Sequence, residues 1–424
     1  MEKFIIEGGF RLHGEVSISG SKNAVLPILS ATLLHKGKYK IKNVPKLQDV
    51  YTMIELLEFL GCKTKWTDQK TLEIDTENAD NYLAPYEVVK KMRASVLVMG
   101  PLVGRMRRAV VSYPGGCAIG VRPIDLHIEG LKKMGCEIEM RGGYLDVKAR
   151  KLKGARISFP TKTVGGTENL LMAAVLAQGE TVIENAAKEP EVVDLAKMLK
   201  KMGADIQGEG TDVITIRGVA ELSACEYEVI PDRIETGTFL VACGITNGEI
   251  LIKNCNPEHL RAVIEKLRES GIEIVEKDGA LYAAMKRKRP LACDVSTMPY
   301  PSFPTDMQAQ FMALMCVANG VSTITENIFE NRMLHVAELK RMGADITISG
   351  RTAIVRGVKS LSGAKVMASD LRASASLVLA GLRSSGMTEI SRIYHIDRGY
   401  ERIEEKLRAL GARIERVRDE NLPT

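Results

Sequence analysis

An α/β protein of two domains, each assembled from three copies of a βαβαββ-type unit, is the fold this sequence predicts. Three observations predict it: a chain of 424 residues that is 45% hydrophobic and 26% charged, a segment that recurs six times, and a glycine at one fixed place in each recurrence. A chain of that length and composition exceeds one ordinary core, so two or three domains are expected.

The recurring segment is an amphipathic helix whose last turn reads Leu or Met (Ser once), then Gly, then a residue leading into a strand. Its six tails are IELLEFLGCKTKW, EGLKKMGCEIEM, AKMLKKMGADIQ, IEKLRESGIEIVE, AELKRMGADITI and EEKLRALGARIERV, with glycines at 61, 135, 203, 271, 343 and 411. Glycine takes positive φ without steric cost, so each marks a helix end followed by a strand. Upstream, five copies carry an Ala/Leu-rich helix, a turn glycine (Gly37, Gly179, Gly248, Gly320 or Gly386) and an alternating strand. A unit of about 70 residues cannot bury both faces of its sheet alone, so neighbouring copies must share a core. Two groups of three follow, with the junction expected near residue 230 in the loop IPDRIETG. The second copy departs from its siblings: SYPGGCAIGVRP replaces their plain turn and strand, which marks a working loop.

Several function classes are disfavoured. No run reaches the roughly 18 apolar residues of a membrane span. The start, MEKFIIEGGFRLHG, lacks the order of a secretion signal, so a cytoplasmic protein with no membrane partner is expected. The eight cysteines form no CxxC pair or His/Cys cluster, so no metal site is expected. A net charge of +6, with no cationic block interleaved with aromatics, suits small anionic substrates rather than nucleic acid.

Seven segments carry a resemblance: GSKNAVLPILSA at 20–31, RASVLVMGPL at 93–102, PGGCAIGVRPIDLHI at 114–128, PSFPTDMQAQ at 301–310, TENIFENRMLH at 325–335, SDLRASASLVLAG at 369–381 and YHIDRGYERIEEKL at 394–407. In this order they resemble the UDP-N-acetylglucosamine enolpyruvyl transferases, which begin peptidoglycan precursor synthesis. The resemblance implies the enolpyruvyl transferase fold, two inside-out α/β domains with the active site between them. It assigns residues 22–230 to the first domain, with the Cys117 loop, and 1–21 plus 231–424 to the second, with Asp306 and Arg398. It implies transfer of the carboxyvinyl group of phosphoenolpyruvate to the 3-hydroxyl of UDP-N-acetylglucosamine, by addition and elimination of phosphate, with no cofactor. A monomer or weak homo-oligomer is expected.

Phosphoenolpyruvate carries a phosphate and a carboxylate, both suited to guanidinium forks. By resemblance Lys22, Arg122 and Arg398 hold it, and Arg332 and Arg372 lie in matching motifs. Cys117, in a glycine-rich loop near Arg122 and His127, has neighbours that favour thiolate; the resemblance implies that it protonates the donor or assists product release, and that it can form a covalent phospholactoyl adduct and react with the epoxide antibiotic fosfomycin. Asp306 looks like the carboxylate beside the acceptor hydroxyl, while its isolated reading is a helix N-cap before MQAQFMALM. For the nucleotide-sugar the resemblance carries over Asn23, Arg93, Arg122, Pro123, Ile124, Asp125, Leu126, Thr163, Val164, Gly165, Asp306 and Ile328. Thr161 and Lys162 depart from the family's wording and are not assigned contacts. His127 reads either as a site residue or as a packed imidazole. Two other readings compete: a shikimate-type enolpyruvyl transferase, which lacks the cysteine loop, and a non-catalytic UDP-sugar-binding paralogue.

Overall fold

A computed structural model describes residues 2–114, 119 and 124–418. Cys117, Arg122 and Pro123 lie outside the described residues. Two compact units divide the chain, one of residues 20–114 and 124–230, the other of residues 2–19 and 231–418.

Six four-stranded sheets, three in each unit, carry the repeat. The third copy shows the plan. The short strand Arg156–Ser158 runs parallel to Glu180–Glu184, which pairs antiparallel with Val213–Arg217, and that strand pairs antiparallel with Asp205–Gln207. Strand sequences alternate because one face of each sheet meets the core: in Lys38–Lys42, Tyr39 and Ile41 are buried between lysines.

Chain order and sheet membership part company at the ends of each unit. Glu226–Glu228 pairs parallel with Lys38–Lys42 and completes the first sheet. His13–Ser17 pairs with Glu249–Lys253, and Glu2–Glu7 lies between Met387–Ser391 and Arg413–Arg418. The first strands of the chain thus finish two sheets of the unit that begins at residue 231.

The first helix of each copy is the inner one. Arg233–Ile245 is buried at every position, as are Gln308–Met315 and the run Arg372–Leu382 of the helix Leu371–Arg383. These three pack on one another, which explains why they are buried all round rather than along one stripe. In the other unit, Ala24–Ala31 and Gly166–Ala174 are buried in the same way. The second helix of a copy, such as Pro190–Lys201, keeps one charged face.

All six marker glycines close a helix in the left-handed region, with φ between +89° and +107°. In every copy the next residue donates its N–H to the carbonyl five positions back, from Cys62 to Leu57 at 2.9 Å through Ala412 to Leu407 at 3.0 Å.

One turn glycine acts through close packing, and one expectation needs correction. At Gly248 the left-handed conformation belongs to Asn247 (φ 54°); the glycine is required because a Cβ would stand 2.6 Å from the Leu12 carbonyl oxygen. The second copy does possess the strand, Arg108–Ser112, entered through Arg107 at φ 60° in place of a glycine. Its insertion replaces the connection between strand and second helix, residues 113–124, rather than the strand. In copies one, three and four that connection starts with Asn43, Asn185 or Asn254 in the left-handed region. Their amides donate to Val229, Phe159 and Ile18 carbonyls at 2.9, 2.9 and 2.7 Å, stitching the short edge strand to its neighbour.

Candidate active site

In the unit containing residues 231–418, Asp306 lies within a 3₁₀ turn, Thr305–Met307, that leads into Gln308–Met315. The N-cap reading of Asp306 is not realised: Pro304 and Met307 hold the cap positions, without side-chain hydrogen bonds. Its carboxylate instead accepts from Arg332 Nη2 at 2.7 Å on one oxygen and from Arg372 Nη2 at 3.0 Å on the other. A charge-assisted pair of bonds outweighs a cap of about 1 kcal/mol.

Both arginines are anchored. Arg372 sits at the start of its helix, where the Asp370 carboxylate accepts from the N–H groups of Arg372 and Ala373, both at 3.0 Å. Its guanidinium lies 5.4 Å from the Tyr400 ring centroid. The Tyr400 and Thr238 hydroxyls share a bond of 2.8 Å, and Gln310 donates to Tyr400 at 3.2 Å and to the Asp306 carbonyl at 2.8 Å. Arg332 donates through Nη1 to Thr305 Oγ1 at 2.9 Å, and Thr305 donates to Glu326 at 2.9 Å.

Glu326, buried and not singled out from the sequence, also accepts from Thr297 at 2.9 Å and from the N–H groups of Ile328 at 2.8 Å and Phe329 at 3.1 Å. It fixes the backbone at Ile328. A signal existed: it occupies the post-strand position that three sibling copies fill with asparagine.

The Asp306 side chain keeps 24% of its surface exposed, against 7% for Arg332 and 3% for Arg372. Burial pushes its carboxyl upward, yet Arg372 and Arg332 together overcome that and hold it well below the usual carboxylate range. Two guanidiniums share this one carboxylate, and the Asp232 charge also acts on Arg372. Arg398 closes the 3₁₀ turn Ile393–Arg398 and is half-buried. Its neighbour Asp397 is gripped by Arg416 through Nη1 at 3.0 Å and Nη2 at 2.6 Å.

In the other unit, Lys22 and Asn23 open the helix Lys22–Ala31, capped by the Ser21 hydroxyl. Lys22 pairs with Asp49 at 2.9 Å, with side-chain exposures of 13% and 3%. Asp49 was missed from the sequence. It falls one helical turn before Met53 on the buried stripe of Gln48–Phe59, where a charge needs a partner. Arg93 heads the 3₁₀ helix Arg93–Val98. Ile124 is the N-cap of Asp125–Lys133, with Asp125 and Leu126 in the first turn.

Thr163 caps Val164–Ala174, its hydroxyl accepting from Gly166 N–H at 3.1 Å, so Val164 and Gly165 form the first turn. Lys162 is occupied by Asp212 at 2.6 Å and the Ala186 carbonyl at 2.9 Å. His127 is buried, with Nδ1 2.9 Å from the Asn169 amide and its ring 3.4 Å from the point a Cβ on Gly165 would occupy. It packs two helix starts together.

The seven described cysteines are free. Burial pushes Cys136 and Cys316 up to about 12, and Cys255 to about 11, so these are neutral thiols at neutral pH. Among the described residues no group of His, Cys, Asp and Glu is arranged to hold a metal, and no helix is long and apolar enough to cross a membrane.

Six four-stranded sheets among the described residues surround buried inner helices, and buried ion clusters stand at or near helix starts in both units. The family model EPSP synthase (3-phosphoshikimate 1-carboxyvinyltransferase) matches residues 6–407. The chain is similar over 98% of both lengths to the enolpyruvyl transferase NikO from Streptomyces tendae, with a TM-score of 0.89 at 23% identity. It is similar to EPSP synthase from Acinetobacter baumannii, over 99% of this chain and 100% of that one, with a TM-score of 0.77 at 20% identity. At those identities the likeness shows the fold. Sequence goes further: UDP-N-acetylglucosamine 1-carboxyvinyltransferase of Geobacter metallireducens is 58% identical, across 99% of this chain and all of that protein. The protein of the same name from Saccharophagus degradans is 56% identical over 98% of this chain and all of its own length. The chain belongs to the UDP-N-acetylglucosamine 1-carboxyvinyltransferase family.

Proposed function

We propose that this protein transfers the carboxyvinyl group of phosphoenolpyruvate to the 3-hydroxyl of UDP-N-acetylglucosamine and releases phosphate, in peptidoglycan precursor synthesis in the cytoplasm. The observation that carries this reading is the end-to-end identity of 58% with a relative of that name. Asp306 held between two arginines supplies a fitting chemistry.

The acceptor hydroxyl adds to C2 of the donor while Cys117 gives a proton to C3, forming a tetrahedral ketal. Loss of a C3 proton and departure of phosphate restore the double bond. Lys22, Arg122 and Arg398 bind the donor anion, and Arg332 and Arg372 offer their positive charge to the same region. As it stands, Asp306 is a weak base, because both guanidiniums stabilise its ionised form. A doubly negative donor that draws on those guanidiniums would weaken their grip and raise the basicity of Asp306, which then takes the hydroxyl proton. Asn23, Arg93, Pro123, Ile124, Asp125, Leu126, Thr163, Val164, Gly165 and Ile328 hold the nucleotide-sugar, the first turn at Val164 directing N–H groups to its diphosphate.

Phosphate release with phosphoenolpyruvate and either UDP-N-acetylglucosamine or shikimate 3-phosphate tests the reading. Release with the nucleotide-sugar alone is expected; release with the phosphorylated ring alone would make this a shikimate-type enzyme. Fosfomycin labelling is expected to vanish in Cys117→Ser and persist in Cys136→Ser, and equal labelling of both variants would remove Cys117 from its role.

A further inference from the structure

In the unit containing residues 231–418, a cavity of about 410 Å³ is edged by Arg11, Lys286, Arg287, Lys288 and Arg383, with Phe10 at its wall. No carboxylate lines it, and none of Asp306, Arg332 or Arg372 belongs to it. We propose that this cavity is a second anion site, which takes a small molecule bearing two or more phosphoryl groups.

The charge is uncompensated. Of the five cations only Lys286 has an acidic partner, Glu273. The side chains of Arg287, Lys288 and Arg383, and the terminal nitrogens of Arg11, have no hydrogen-bond or ion-pair partner among the described residues. Like charges around a concave wall focus a positive potential, and guanidinium forks match phosphoryl oxygens in pairs.

The cavity is also built, not merely a tuft of lysines. Arg11 Nε donates to the Asn247 carbonyl at 2.7 Å, and the Asn247 amide donates to the Arg287 carbonyl. One left-handed residue, Asn247 at φ 54°, therefore holds two charged segments in place. Gly9 N–H bonds the Leu382 carbonyl at 2.9 Å and fixes the third. Buried Met285 and Leu382 form an apolar base.

The ligand class follows from charge and size. Four unpaired cations call for several negative charges, more than one phosphate supplies. The volume lies in the range of small-ligand sites. A single aromatic ring, with the Arg413 guanidinium 4.0 Å from its centroid, gives no stacking track for a nucleic-acid strand.

The test is calorimetric titration of inorganic pyrophosphate, and separately of inorganic phosphate, into the full chain at about 50 mM salt, where screening is modest. The variant Arg11→Gln/Lys288→Gln/Arg383→Gln is compared with the unaltered protein. One more equivalent of pyrophosphate is expected on the unaltered protein, bound about tenfold or more tightly than phosphate, and that equivalent is expected to vanish in the variant. Equal stoichiometry and affinity in the two proteins, or pyrophosphate bound no more tightly than phosphate, would overturn the proposal. Lys288→Glu, a single exposed change, gives the same comparison should the triple variant fold poorly.

Discussion

Two buried ion clusters, one in each unit, meet the same problem in different ways. Lys22 and Asp49 form a pair of one cation and one anion, and the pair is neutral. At Asp306, one carboxylate is shared by two guanidiniums. The Asp49 carboxylate orients the Lys22 ammonium. A carboxylate shared by two guanidiniums is held ionised by both, well below the usual carboxylate range. The two guanidiniums on its carboxylate, rather than burial, mark the Asp306 cluster as the one suited to chemistry.

The comparison breaks most visibly at Asp306. Asp306→Asn strands two buried guanidiniums, and a loss of about 3 kcal/mol is expected, at the low end for a broken buried pair because Asp306 keeps some exposure. Phosphate release is expected to fall by roughly a hundredfold to ten-thousandfold; urea unfolding and the release assay measure the two effects, and a fully active, fully stable variant would refute the account of this cluster. The two arginines then sharpen it. Arg372→Lys is expected to lose more activity than Arg332→Lys, since Arg372 is the more buried and lies over Tyr400, where an ammonium cannot reproduce the planar fork. Equal losses would show that charge alone matters.

Asp49→Asn unpins Lys22 and is expected to raise the phosphoenolpyruvate KM about fivefold, with the nucleotide-sugar KM unchanged. A parallel rise in both would reveal general damage instead.

The smallest effect is on pH. Burial lowers His335 from 6.5 to about 4, with Asp370 opposing and Arg332 assisting, and its Nε2 has no hydrogen-bond partner among the described residues. The folded value lies below the unfolded one, so unfolding takes up a proton between them. Stability is full above about pH 6.5 and falls as pH drops toward 4. His335→Gln is expected to flatten that slope in thermal melts, and an unchanged slope would assign it to other groups.

Much of this was legible because local backbone rules are local. Glycines 61 through 411 announce six helix ends because only the neighbouring turn decides them. The N-cap reading of Asp306 failed for the opposite reason: its partners Arg332 and Arg372 are distant in the chain, and long-range charge outweighed a local cap. Arg107 hid the second copy's turn because it takes positive φ without being glycine, so the strand Arg108–Ser112 passed unseen. Glu326 and Asp49 escaped notice because a buried carboxylate in a repeat reads as ordinary polarity until its donors are in place.

The most direct measurement of the central claim is mass spectrometry of UDP-N-acetylglucosamine after incubation with phosphoenolpyruvate and the protein, beside Asp306→Asn. A nucleotide-sugar heavier by one carboxyvinyl group with the unaltered protein, and little with the variant, is the result expected. An unmodified nucleotide-sugar at every donor concentration, or equal product from both proteins, would contradict it.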